Sequence, residues 1–273
     1  MQTGYYSSAA GMVTQFNRID TIANNLANVN TVGYKEDNLI VGDFMRLYQE
    51  KRDQLDNKNN TKEAASFINR TMTRAPQVVD KYTDFSVGSL QKTSNTLDFA
   101  LSKEGLFFVV KTPQGLRLTR DGSFTTDNEG KLVTKQGYEV LADDYFNTKE
   151  GITISEFDSV LTVDKNGQIS TNVPESLNMT QGKKFFIAQP QNEQLLEKVG
   201  DNLYKTEELA TLEPVEESGA VEQGFVEKSN VNAVKMMTDL IETNRLVGMY
   251  QKAMDTQMNE MNKDAIEKIA SKA

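Results

Sequence analysis

The residues best placed to do chemistry in this sequence are carboxylates in turn-forming runs. Asp164, Asn166 and Glu175 stand at positions 1, 3 and 12 of a calcium-loop spacing. The pattern fails where it is most demanding. Gln168 and Ile169 fill the fifth and sixth places, and the sixth needs glycine for the sharp turn. Asp127 opens a similar run and fails likewise, with Lys131 in the fifth place, so an ordinary hairpin turn is the better reading of both. Asp121, Asp127, Asp143 and Asp144 could supply the carboxylate pair of a glycoside hydrolase. With 39 acidic residues such pairs arise by chance, and no flanking motif selects one. There is no phosphate-cradling glycine loop, and Lys183-Lys184 reads as the start of a strand. Cysteine, histidine and tryptophan are absent. That removes disulfides, thiolate nucleophiles, structural zinc and the commonest general base. No catalytic residue, cofactor or metal site is expected, and the chain reads as a non-enzyme.

The elements that would have to position such residues point elsewhere. At 273 residues the chain can hold one large domain or two smaller ones. A hydrophobic content of 38% and a mean hydropathy of -0.53 are low for a compact enzyme, which suits a chain that is partly extended or solvated. A net charge of -9 argues against nucleic-acid and anionic-membrane partners. No apolar run approaches the ~18 residues of a membrane span, the densest being Leu106 to Val110, so no membrane insertion is expected. The opening residues Met1 to Tyr6 lack the basic head and apolar stretch of a Sec signal peptide.

Both ends carry helical stripes. Tyr5, Ala9, Met12, Phe16, Ile19, Ala23 and Leu26 recur in steps of four and three. So do Met236, Leu240, Thr243, Val247, Tyr250, Met254, Met258, Met261 and Ala265. That seven-residue rhythm is what two helices need to bury a shared seam. The first helix is predicted from about Thr3 to about Asn28, ending where asparagine and glycine tolerate left-handed backbone. The second is predicted from Ala233 to about Ile269, with Asn232 as its N-cap. At about 1.5 Å per residue it would reach roughly 55 Å, longer than a β-domain is wide, so it needs partners outside its own domain. The methionines at 236, 237, 249, 254, 258 and 261 fit seam packing better than a promiscuous groove. Asn24, Asn25 and Asn28 surround a small apolar seam, and a buried amide there could fix the register between helices.

Between the helices lie a short helix around Asp43 to Glu50 and a charged, amide-rich linker from Lys51 to Glu63. From about Val78 to Val226 short β-branched and aromatic runs alternate with turn signals. Strands are predicted at Phe107 to Lys111, Leu116 to Arg120, Phe124 to Asp127, Lys131 to Thr134, Tyr138 to Leu141, Lys184 to Ala188 and Leu203 to Lys205. Phe124 to Thr134 and Leu161 to Thr171 are alike, each with Asp opening a turn and Gly three residues later, as in a type I turn closed by a glycine bulge. The fold class is therefore α+β, with paired terminal helices and a central all-β domain. Its expected division is 1–33 with 229–273 as a helical assembly domain, 34–77 as an extended linker and 78–228 as the β-rich domain.

Ile22-Ala23-Asn24-Asn25-Leu26-Ala27-Asn28-Val29-Asn30-Thr31-Val32-Gly33-Tyr34-Lys35 resembles the N-terminal signature of the flagellar rod and hook axial proteins. Three more blocks agree in order: Thr96 to Ala100 with Gly105 to Phe108, Leu118 to Phe124 with Gly130 to Val133, and Gly224 to Asn232. The resemblance implies a structural subunit of a hollow helical shaft that transmits torque, with both terminal helices in an inner tube. It also implies a flagellar basal body crossing the periplasm, export through the flagellar type III apparatus without a cleaved signal, and termini disordered until assembly. Its partners would be further copies of itself and other rod proteins. The motif residues it assigns to assembly are Ala23, Asn24, Asn25, Leu26, Ala27, Asn28, Thr31, Gly33, Ser229, Asn230, Val231 and Asn232. Met12, Phe16, Ile19, Leu240, Val247 and Met254 would form the helix seam. Residues 236–254 resemble the proximal rod subunit, the expected identity within the family, with the distal rod subunit second because of its extended segment after residue 51. The alternative from another class is a secreted β-domain binding module with helical oligomerisation ends.

Overall fold

The computed structural model describes residues 2–43, 76–149, 151–154, 160–172, 179–206, 214–215 and 219–270. They form two compact units, one of Met1–Ala27, Asp37–Tyr82 and Asn232–Ala273, the other of Asn28–Glu36 and Thr83–Val231. The predicted linker from Lys51 to Glu63 lies outside the described residues, as does the predicted short helix except for Asp43.

The first unit pairs helix α1 (Gln2–Ala27) with helix α3 (Ala233–Ala270). Asn232 caps α3 as its sequence suggests, its Oδ1 accepting the N–H groups of Val234 and Lys235, both at 3.1 Å. β1 (Asp37–Asp43), in the stretch expected to be linker, forms a two-stranded ladder with β2 (Pro76–Thr83), which begins at its end. Thr14 ties α1 to the start of that ladder, its hydroxyl donating to the Pro76 carbonyl at 2.9 Å.

The second unit is antiparallel β throughout its described pairings. Its main sheet runs in the order β14 (Glu197–Gly200), β15 (Leu203–Lys205), β6 (Gly115–Thr119), β5 (Phe107–Thr112), β9 (Glu139–Val140), β8 (Leu132–Thr134), β7 (Phe124–Thr126), with β13 (Ile187–Ala188) also on β5. The four-residue helix α2 is Tyr145–Thr148. β10 (Val160–Val163), β11 (Gln168–Asn172) and β12 (Met179–Lys184) make a separate three-stranded sheet. Two long-range ladders close the unit: β4 (Phe99–Leu101) with β16 (Val221–Gln223), and β3 (Leu90–Lys92) with β17 (Phe225–Glu227).

The dense run Leu106 to Val110 leads into β5, whose residues Phe107 to Val110 are buried on both faces. Side chains alternate across a strand, so Phe108 and Val110 enter one apolar cluster while Phe107 and Val109 enter another. Phe99, Phe108, Phe124 and Phe185 meet edge-on or tilted in the first cluster, and Phe85, Phe107 and Tyr204 meet edge-on in the second. The two similar segments adopt the same turn. Asp127 Oδ1 accepts the N–H of Glu129 and Lys131, Asp164 Oδ1 accepts that of Asn166 and Gln168, and Gly130 and Gly167 have positive φ. These carboxylates serve main-chain turns, and among the described residues no group of potential ligands could hold a metal ion.

Candidate functional site

The helix pair is closed by small residues. A Cβ on Gly4 would stand 2.7 Å from the Gln257 side-chain amide, and one on Gly11 2.6 Å from the Tyr250 ring. Asn25 meets Met236, its Nδ2 lying 4.0 Å from the sulfur. These three pairs step seven and fourteen residues up one helix for the same number down the other, the mark of an antiparallel register. Gly11, Thr14, Ile22 and Asn25 are buried on α1. Along the expected stripe, Met12, Ile19 and Leu26 are half-buried, and Phe16 is 43% exposed. On α3 the buried positions are Met236, Thr243 and Val247, with Leu240, Tyr250, Met254 and Met261 half-buried and Met258 exposed. Val234, Met237, Ile241 and Met249 point to solvent from a further face.

Within the amide-rich motif, Ala23, Asn24 and Ala27 are exposed and Asn28 is half-buried. Asn25 is buried and serves the main chain of Asp37 at both ends, donating to its carbonyl at 2.7 Å and accepting its N–H at 3.0 Å. It thereby pins the first residue of β1 to α1, a role that helical periodicity does not foresee. The chain turns after α1 where the N–H and hydroxyl of Thr31 donate to Asn28, both at 3.1 Å.

Gly33 and Asn230 of the motif set meet in the β-rich unit, around residues 28–36. Gly33 has φ +69, and its N–H donates to the Glu227 carbonyl at 2.8 Å. An added Cβ on it would stand 2.5 Å from the carbonyl carbon of Arg120, so only glycine fits. Lys35 follows, 1% exposed, its ammonium donating to Glu227 Oε1 and to the Ser86 carbonyl, both at 2.6 Å. Glu227, 0% exposed, accepts on its other oxygen the N–H of Arg120 Nε at 2.8 Å. The Arg120 guanidinium also donates to the carbonyls of Leu101, Lys103 and Leu106. Burial pulls the Lys35 ammonium below its ordinary pKa, opposed by the Glu227 carboxylate and reinforced by Arg120.

Side chains from three directions hold the same segment. Asn230 accepts the Glu36 N–H at 2.8 Å and donates to the Asp84 carbonyl at 2.9 Å. Lys198 lies 4.3 Å from the centre of the Tyr34 ring and donates to the Lys35 carbonyl. Asn202 donates to the Val32 carbonyl at 2.8 Å. The Ser229 hydroxyl accepts the N–H of Val231, shaping the turn that leads out of β17. The expected motif set contained Gly33 and Asn230 but not Lys35, Arg120 or Glu227. Each of those three stood inside a quoted block, yet a polar residue in a local pattern reveals nothing of a partner over a hundred residues away.

Three family models match this chain. That for flagella basal body rod proteins covers residues 6–35, that for the flagellar hook protein FlgE/F/G D1 domain covers 103–171, and that for the flagellar basal body rod FlgEFG C-terminal region covers 222–267. Relatives along nearly the whole chain include the flagellar basal-body rod protein FlgG of Agrobacterium fabrum, 32% identical over 91% of this chain and 93% of the relative. FlgG of Borreliella burgdorferi is 31% identical over 95% and 96%. Flagellar basal-body rod protein FlgF of Caulobacter vibrioides is 32% identical over 98% of each. The relatives are mostly FlgG, the distal rod type, where the residues had favoured a proximal subunit. With matched segments at both ends and in the middle, the chain belongs to the flagellar basal-body rod protein family, structural and non-enzymatic proteins that assemble with other components of the rod.

Proposed function

We propose that this protein polymerises with copies of itself into a hollow helical drive shaft that crosses the periplasm and transmits torque. One observation carries the reading. The helix pair is closed by glycine and amide packing, while Phe16 on α1 and Val234, Met237 and Ile241 on α3 stay exposed. A helix with apolar side chains beyond its internal seam has a further face to bury, and identical neighbours in a head-to-tail array can cover it. The subunit leaves the cell through the flagellar type III apparatus without a cleaved signal, its terminal helices ordering only on assembly.

Within the rod we assign the distal type. The predominance of FlgG among the relatives supports this. The FlgF relative at the same identity supports the other assignment. Electron microscopy of purified basal bodies carrying a tagged subunit separates them, and density confined to the proximal segment would overturn the distal assignment. Phe16→Asp and Ile241→Asp test assembly itself. Each should leave the melting of the purified subunit unchanged within about 0.5 kcal/mol, yet abolish incorporation and motility. Normal motility in both would reject the proposal.

A further inference from the structure

We infer that residues 28–36 fold with the β-rich domain and are already ordered in the unassembled subunit, so that the disordered N-terminal segment ends at Ala27 rather than Gly33. This rests on the reading that the terminal helices order on assembly, and it moves the boundary of that step.

The bonding of the two regions differs in kind. Residues 33–36 are buried. They are held by the Glu227 carbonyl on Gly33, by Glu227 and Ser86 on Lys35, by Asn230 on Glu36, and by Glu36 itself accepting the Asp84 N–H at 2.8 Å. Releasing the segment would leave the Glu227 carboxylate buried with one of its two cations gone and several main-chain groups without partners. Orphaned buried groups are expensive. The described residues of α1 and α3, by contrast, bury only three large apolar side chains, Ile22, Met236 and Val247, beside Gly4, Gly11 and Asn25. A helix pair of that composition gains little from closing alone, since helical stability in proteins comes mainly from packed apolar faces. The β-rich domain would therefore present a finished junction from which α1 begins, limiting the ordering of α1 on assembly to residues 2–27.

Amide hydrogen exchange on the full-length, unassembled protein tests this. The N–H groups of Gly33 and Glu36 should exchange as slowly as those of Val109 and Leu118 in the sheet, at least ~100-fold slower than amides in the middle of α1. Exchange at 33–36 as fast as in α1 would overturn the inference and leave assembly-coupled ordering of the helices untouched. Slow exchange throughout α1 would overturn that ordering, while slow exchange at 33–36 would still support the junction. In that case Asn230→Ala decides. Faster exchange at Glu36 with α1 unchanged supports the junction as part of the β-rich domain, and a parallel rise along α1 rejects it.

Discussion

Lys35 and Glu227 stand 192 residues apart in sequence, yet the ammonium and carboxylate meet at 2.6 Å with both side chains buried. Arg120 takes the other oxygen of the same carboxylate. Two cations thus share one anion, and removing the anion should differ from removing one cation. Glu227→Gln leaves two buried positive charges facing each other and should cost about 3–5 kcal/mol. Lys35→Met leaves a neutral, bonded Arg120–Glu227 pair and should cost clearly less. Urea unfolding of the purified subunit gives the ranking, and equal losses would reject the shared-carboxylate account.

The same geometry predicts a pH dependence. The Lys35 pKa is lowered on folding, chiefly by burial, so the protonated form is less welcome in the native state than in the unfolded chain. That penalty is present at all pH below the folded value and disappears as pH rises through it towards the ordinary lysine range. Measured against Lys35→Met to cancel other groups, the native protein should gain stability from neutral pH into the alkaline range. A loss over that interval would contradict the assigned sign.

Arg120→Lys should not be conservative. The guanidinium fork reaches Glu227 and three carbonyls, those of Leu101, Lys103 and Leu106. A lysine ammonium cannot span them all. Each orphaned carbonyl costs about 1–3 kcal/mol, so a total loss of at least about 2 kcal/mol is expected. Faster amide exchange between residues 101 and 106 would show that the damage is local to this loop. Full native stability in the variant would overturn the role.

Two glycines make a matched pair of tests. Gly33 combines a positive φ with a steric limit at Arg120, so Gly33→Ala should destabilise the subunit by more than the ~1–3 kcal/mol of the backbone strain alone. Gly248 sits within α3 with nothing within 4 Å of its would-be side chain. Because α3 orders only on assembly, Gly248→Ala should leave the melt of the purified subunit unchanged and add its gain of about 0.5–1 kcal/mol only to the assembled helix. Circular dichroism with thermal melts reads both, and similar behaviour of the two variants would defeat the argument.

A fragment from Val78 to Val226 carries most of the strands but leaves out Glu227 and residues 28–36. Its Arg120 would be buried without a carboxylate. The fragment should unfold at lower urea than one covering 83–231 with residues 28–36 restored through a flexible linker. Equal midpoints would show that the buried ion cluster contributes nothing to the β-rich domain.

Much of this protein was already readable in its residues. The spans of α1 and α3, the Asn232 cap and the twin Asp-to-Gly turns follow from patterns within a dozen residues, where local hydrogen bonding and periodicity act directly. The central strands β5, β6 and β15 are legible for the same reason. The tertiary structure decided the rest. Hydrophobic rhythm marks Phe16 and Ile19 on α1, but the face closed against α3 is set by Gly4 and Gly11, since close helix approach needs the absence of a side chain and so leaves no apolar signal. The ladders β3–β17 and β4–β16 join segments too far apart for any pattern to announce. Lys35, Arg120 and Glu227 meet for that reason alone: one buried carboxylate satisfies two cations only after three distant stretches of chain have been folded onto it.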